Sequence, residues 1–176
     1  MAPERFEDML TGGHPNSLGR TVEVVDQVLA APERFDELFA CYASADEVVR
    51  LRTSNAMKRV EAENPALLVP YLDRFIAKIG ALDQASAQWT LAQLFERLAD
   101  KLTPDQRAEA VDIMKRNLVQ SDDWIVLNQT MGTLADWARF DPDLAAWLAP
   151  HLARLSGDPR TSVSKTATKA QTVLGL

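Results

Sequence analysis

Two stretches of the chain nearly copy each other. Leu68-Val69-Pro70-Tyr71-Leu72-Asp73-Arg74-Phe75 returns 80 residues later as Leu148-Ala149-Pro150-His151-Leu152-Ala153-Arg154-Leu155, a shared L-x-P-x-L-x-R-[FL] pattern. A repeated segment constrains a fold more than any single-residue motif, because it implies one supersecondary unit used more than once. The separation is about two of the roughly 40-residue units from which helical solenoids are built.

Helix starts are marked by a second recurring device, a side chain able to accept a backbone N–H placed just before a proline at the first helical position. Asn64-Pro65, Thr103-Pro104 and Asp141-Pro142 all fit, Gln106 completes a capping box with Thr103, and Pro32 opens a similar segment. These signals predict first helices at about 32–43, 65–79, 104–119 and 141–155. Second helices are predicted at about 46–62, 83–100, 122–139 and 159–174, where apolar residues follow the helical period. An Asp stands near each of their starts, Asp46, Asp83, Asp122 and Asp158, spaced by 37, 39 and 36 residues. Carboxylates there suit the positive end of a helix, which is a structural reason for the row. Pro70 and Pro150 fall inside predicted first helices and should kink them. Before the pairs, 10–19 reads as an irregular loop and 20–30 as a capping helix. The expected organisation is an N-terminal loop and capping helix over 1–31, followed by one continuous body over 32–176 with pairs at about 32–62, 65–100, 104–139 and 141–174.

Composition sets outer bounds. With 47% hydrophobic and 25% charged residues in 176, the chain has the makings of one globular core. No stretch approaches 18 uncharged apolar residues, and the first residues are acidic without an apolar run, so a soluble cytoplasmic protein is expected. The single cysteine, Cys41, lies among apolar residues and reads as a buried thiol. A net charge of −6 opposes nonspecific attraction to phosphate, but it is uneven: ten acids face three bases in residues 1–47, whereas Arg160, Lys165 and Lys169 follow the last acid, Asp158.

The pairs resemble the HEAT and armadillo-like repeat family. A HEAT second helix reads as Asp, a few residues, Val-Arg, then Ala-Leu seven and eight positions after the Val. Here the first pair has Asp46, Val49-Arg50 and Ala56-Met57, and the fourth has Asp158, Val163 with Ser164 in place of Arg, Ala167 and Ala170. The middle pairs carry Ala87-Gln88 and Leu127-Asn128 at the Val-Arg positions. The resemblance, over about 32–174, implies an all-α, right-handed α-α superhelix whose second helices line a concave groove. It also implies that Arg50 bridges to a neighbouring repeat's Asp, such as Asp83.

In such a stack the faces opposite the core stripe point into the groove. At 100° per residue these are Arg52, Asn55 and Arg59; Ser86, Trp89, Gln93 and Arg97; Gln129, Thr133 and Asp136; and Lys165 and Lys169. Trp89 lies roughly 160° from the centre of its apolar stripe, beside Gln93 and Glu96, and suits anchoring a partner. Trp124, Trp137 and Trp147 sit on or beside apolar stripes and are expected in the core. The histidines, His14 in the loop and His151 after Pro150, assemble no base with a nucleophile, and there is no phosphate loop, H-E-x-x-H or EF-hand spacing. No cofactor or metal is expected.

The leading reading is therefore a non-enzymatic, monomeric scaffold binding a peptide or protein partner in its groove. The alternative is nucleic-acid binding, in which the chain resembles the HEAT-like alkyl-DNA glycosylases. Trp89, Arg52, Arg59, Arg97, Lys165 and Lys169, with Asp136 as carboxylate, imitate their composition, against the net charge. A third reading is an enzyme using the N-terminal loop and groove.

Overall fold

The computed structural model describes residues 3–176, so the first two residues of the expected segment 1–31 lie outside the described residues. Every regular element among the described residues is helical. Contacts gather the chain into two compact units, the first ending at Ile79 and the second running Gly80–Leu176. The boundary falls inside the span 32–176 that reads as one body, between the two helices of the expected second pair.

The first unit begins with α1 (Phe6–Leu10), a short helix that the sequence reading did not contain, and α2 (Thr21–Ala30), a helix where one is expected at 20–30. The predicted helix at 32–43 is α3 (Phe35–Ala40) extended by 3-10 turns at Pro32–Arg34 and Cys41–Ala43. α4 (Glu47–Glu63) starts on Asp46, whose carboxylate accepts from the Val48 N–H at 2.8 Å. It buries Val49, Thr53, Ala56, Met57 and Val60, the stripe read from the sequence. Cys41 is buried, and burial pushes its thiol up to about 12.

Residues 65–79 depart from a single kinked helix. They form 3-10 turns at Pro65–Leu67 and Val69–Tyr71, one α turn as α5 (Leu72–Arg74), and a π-helical segment over Phe75–Ile79. Aromatic packing holds this segment in place: Phe39 meets Phe75 edge-on with centroids 5.0 Å apart, and Phe35 meets Tyr71 at 4.6 Å. Arg74 lies over Phe39 and donates to Asp36 at 2.6 Å, which holds that carboxyl below its usual range.

The second unit comprises α6 (Ala85–Arg97), α7 (Pro104–Gln120), α8 (Trp124–Ala138), α9 (Pro142–Ser156) and α10 (Thr161–Leu174). The Thr103–Gln106 capping box is formed in full, and Asp141 accepts from the Leu144 N–H. The Asp row is less uniform than its spacing. Asp46 caps its helix, but Gln84 rather than Asp83 precedes α6, and Asp123 rather than Asp122 caps α8. Asp122 and Asp158 share Arg160 instead, at 3.2 and 2.8 Å, and the Arg160 guanidinium holds the Asp158 carboxyl down to about 2. Asp83 is exposed, and Arg50 donates to the Ser44 carbonyl within its own unit.

α8 packs against α6 on one side and α10 on the other, while α7 packs on α8 and α9 on both α8 and α10. Their apolar stripes, including Leu91, Leu94, Leu127, Met131, Leu134, Leu148, Leu152 and Val163, are buried. Trp137 joins this core with Arg107 over its ring, and Trp147 is half-buried against His151. Trp124 corrects the expectation of core packing: it is the first residue of α8, with less than a full turn of neighbours to cover it, and is 51% exposed. Among the described residues no helix is long and apolar enough to cross a membrane.

Candidate functional site

The predicted groove residues divide between the two units, and within each they meet different fates. In the first unit Arg52 is not a solvent-facing ligand. Only 2% of it is exposed, and its guanidinium donates to five main-chain carbonyls of the 10–19 loop. Nη1 reaches Leu10 at 2.7, Thr11 at 3.3 and Gly12 at 2.6 Å, Nη2 reaches His14 at 3.2 Å, and Nε reaches Ser17 at 3.1 Å. A planar fork with five N–H groups suits this task, and a lysine has no equivalent.

The loop is shaped to admit that guanidinium. Gly12, Gly13 and Gly19 all adopt positive φ, and a Cβ on Gly19 would lie 2.9 Å from the Arg52 Cζ. Thr11 donates to Asp46 at 2.7 Å, which with the Val48 N–H holds the Asp46 carboxyl below its usual range. Residues 11–20 are otherwise exposed, and the His14 Nδ1 accepts from the Asn16 N–H. Asn55 accepts from Arg59 Nε at 2.7 Å, and Arg59 is exposed.

In the second unit Ser86 and Thr133 are buried rather than presented. Ser86 accepts from Gln84 at 2.9 Å, and the Thr133 hydroxyl donates to the Ala92 carbonyl, joining α8 to α6. Trp89 and Gln93 are half-buried, so Trp89 is not the fully presented anchor its wheel position suggests. Arg97, Lys165 and Lys169 are exposed. Gln129 is half-buried and donates to Glu96 Oε2 at 2.8 Å, fixing that carboxylate at the edge of α6.

Asp136 and Lys169 do come together. They line an open cleft of about 360 Å³ that runs along α8. Gly132 and Ala135 of α8 make its small-residue base, Glu96 marks its α6 side, and Thr166, Lys169, Ala170 and Val173 its α10 side. Asp136 and Arg139 lie one turn apart at 3.5 Å, a solvent-exposed contact that leaves both free to exchange partners. Arg139 and Val173 also border an apolar hollow beside Phe140, which is 83% exposed.

Gly132 is the residue that the sequence reading passed over. It sits inside α8 with ordinary helical backbone, where glycine costs about 1 kcal/mol relative to alanine. A Cβ there would meet nothing within 4 Å. Neither backbone conformation nor internal packing asks for it. The visible signal was a lone glycine within an otherwise helical pattern.

Among the described residues that line the cleft there is no histidine or cysteine. His151 is stacked on Trp147 with its imidazole held below its usual value by burial, and His14 lies in the other unit. Among the described residues no three His, Cys, Asp or Glu side chains are grouped to hold a metal ion. Comparison with protein-family models, curated proteins and solved structures finds no match to this chain. The chemistry of the cleft must therefore be read from its own residues.

Proposed function

We propose that the chain is a non-enzymatic binding scaffold built of HEAT-like helical pairs, which takes a peptide or protein partner on the α6–α8–α10 face. The observation that carries this reading is the cleft itself. It is open, based on small residues, and bordered by Glu96 and Asp136 as well as by Arg139 and Lys169. A surface of both signs recognises another surface of both signs and repels partners of uniform charge. That favours protein over nucleic acid, whose phosphates would meet two carboxylates in the same cleft. The row α6, α8, α10 with α7 and α9 packed beside it supports the helical-repeat reading for this unit.

The test is capture of proteins from extract by the immobilised full chain, compared with the double charge reversal Asp136→Lys/Lys169→Glu. Both side chains are exposed, so the reversal is expected to leave helicity and melting intact while abolishing capture of specific partners. Undiminished capture by the reversal would remove the cleft from the binding role. Steeply salt-dependent binding of duplex DNA at low salt would replace the protein-binding reading with the nucleic-acid one.

A further inference from the structure

We propose that the cleft takes an extended peptide segment carrying both signs of charge, its main chain passing over Gly132, a cation toward Glu96 and Asp136 and a carboxylate toward Lys169. This deepens the scaffold reading and rests on it.

Three observations converge on that occupant. The first is the unoccupied space above Gly132, which nothing within the chain requires and which admits close approach of another backbone. A side chain at that position would fill the base of the cleft. The second is charge placement. The α6 side bears Glu96, already oriented by Gln129, whereas the α10 side bears Lys169, which has no ion-pair partner among the described residues. A ligand spanning the cleft therefore meets a carboxylate on one flank and an ammonium on the other. The third is size. About 360 Å³ is at the lower end of ligand sites, enough for a few residues of extended chain. An entire helix, about 10–12 Å across with its side chains, needs more room.

The experiment selects a displayed library of random twelve-residue peptides on the immobilised full chain, then measures synthetic copies of the enriched sequences by fluorescence anisotropy. Enriched peptides are expected to contain both Lys or Arg and Asp or Glu. Gly132→Leu should weaken them at least about tenfold while the protein stays folded, since leucine favours helix over glycine. Gly132→Ala should raise the melting temperature by about 2–4 °C, separating the binding loss from any damage to the fold. Lys169→Glu should weaken binding, and exchanging the peptide's acid for lysine should restore it.

Enriched peptides that bind wild type and Gly132→Leu equally would overturn the cleft assignment and leave the scaffold reading standing. So would a free Lys-Glu dipeptide that matches their affinity, by making this a small-molecule site, or a Gly132-dependent dimer in sedimentation, by making a second copy the occupant. If no peptide is enriched, the proposal falls. Capture of a folded protein that is lost in Asp136→Lys/Lys169→Glu would still sustain the broader reading.

Discussion

Arg52 shows how far a residue's role is set by what the backbone offers it. Its helical position placed it opposite the apolar stripe of α4, a face that ordinarily meets solvent. The 10–19 loop covers that face and turns its carbonyls inward, so the guanidinium is buried among dipoles. Arg52→Ala removes the donors and leaves those carbonyls to recruit water, with an expected loss of about 2–4 kcal/mol. Arg52→Lys should recover only part of it, because an ammonium cannot span five acceptors. Gly19→Ala should resemble the alanine variant, since its Cβ collides with the guanidinium at a backbone conformation that alanine dislikes. Urea unfolding of the three variants checks the ranking; an Arg52→Ala protein as stable as wild type would mean that the clasp contributes nothing.

At the level of elements, the duplicated L-x-P-x-L-x-R motif takes two different structures. Around Pro150 it is part of a continuous helix, α9, whereas around Pro70 it breaks into 3-10 turns, one α turn and a π segment. The difference lies in what comes before. Pro142 opens α9 and two turns form ahead of Pro150, but Pro65 precedes Pro70 by little more than one turn, too short a run to repay helix nucleation. Pro150→Ala should therefore restore a hydrogen bond to the Ala146 carbonyl and stabilise the protein by about 1–2 kcal/mol, after allowing for the looser unfolded chain. Thermal melting checks it, and a lower melting temperature would show that the proline fits its helix without cost. Helix existence and type were legible in α4, α7, α8, α9 and α10 because each carries an apolar stripe at the helical period, joined in α7 and α9 by a capping side chain and a proline. Asp83 and Asp122 stand one residue before the caps Gln84 and Asp123, so the Asp row marks where helices begin without identifying the capping residue. The cleft was half legible: Asp136 and Lys169 follow from helical phase, but the value of Gly132 depends on empty space, which no periodicity records.

The two units of the whole molecule are built by different means, and that should show in their stabilities. The first relies on short helices, 3-10 turns, an aromatic cluster and the Arg52 clasp, with α4 its one long helix. The second has five helices of 13 to 17 residues packed along their lengths around a continuous apolar stripe. Segments rich in short elements and exposed loop open at lower free energy than long helices sharing a core. Native-state hydrogen exchange should thus resolve two groups of opening free energies dividing near Ile79, with residues before it in the lower group. Arg52→Ala ought to lower that first group and leave the amides of α8 and α10 unchanged. The expected separation is what would keep the cleft formed while the loop is perturbed. A single opening free energy for all protected amides, shifted uniformly by Arg52→Ala, would show instead that the chain opens as one cooperative body. The cleft's stability would then depend on the Arg52 loop as much as on its own helices.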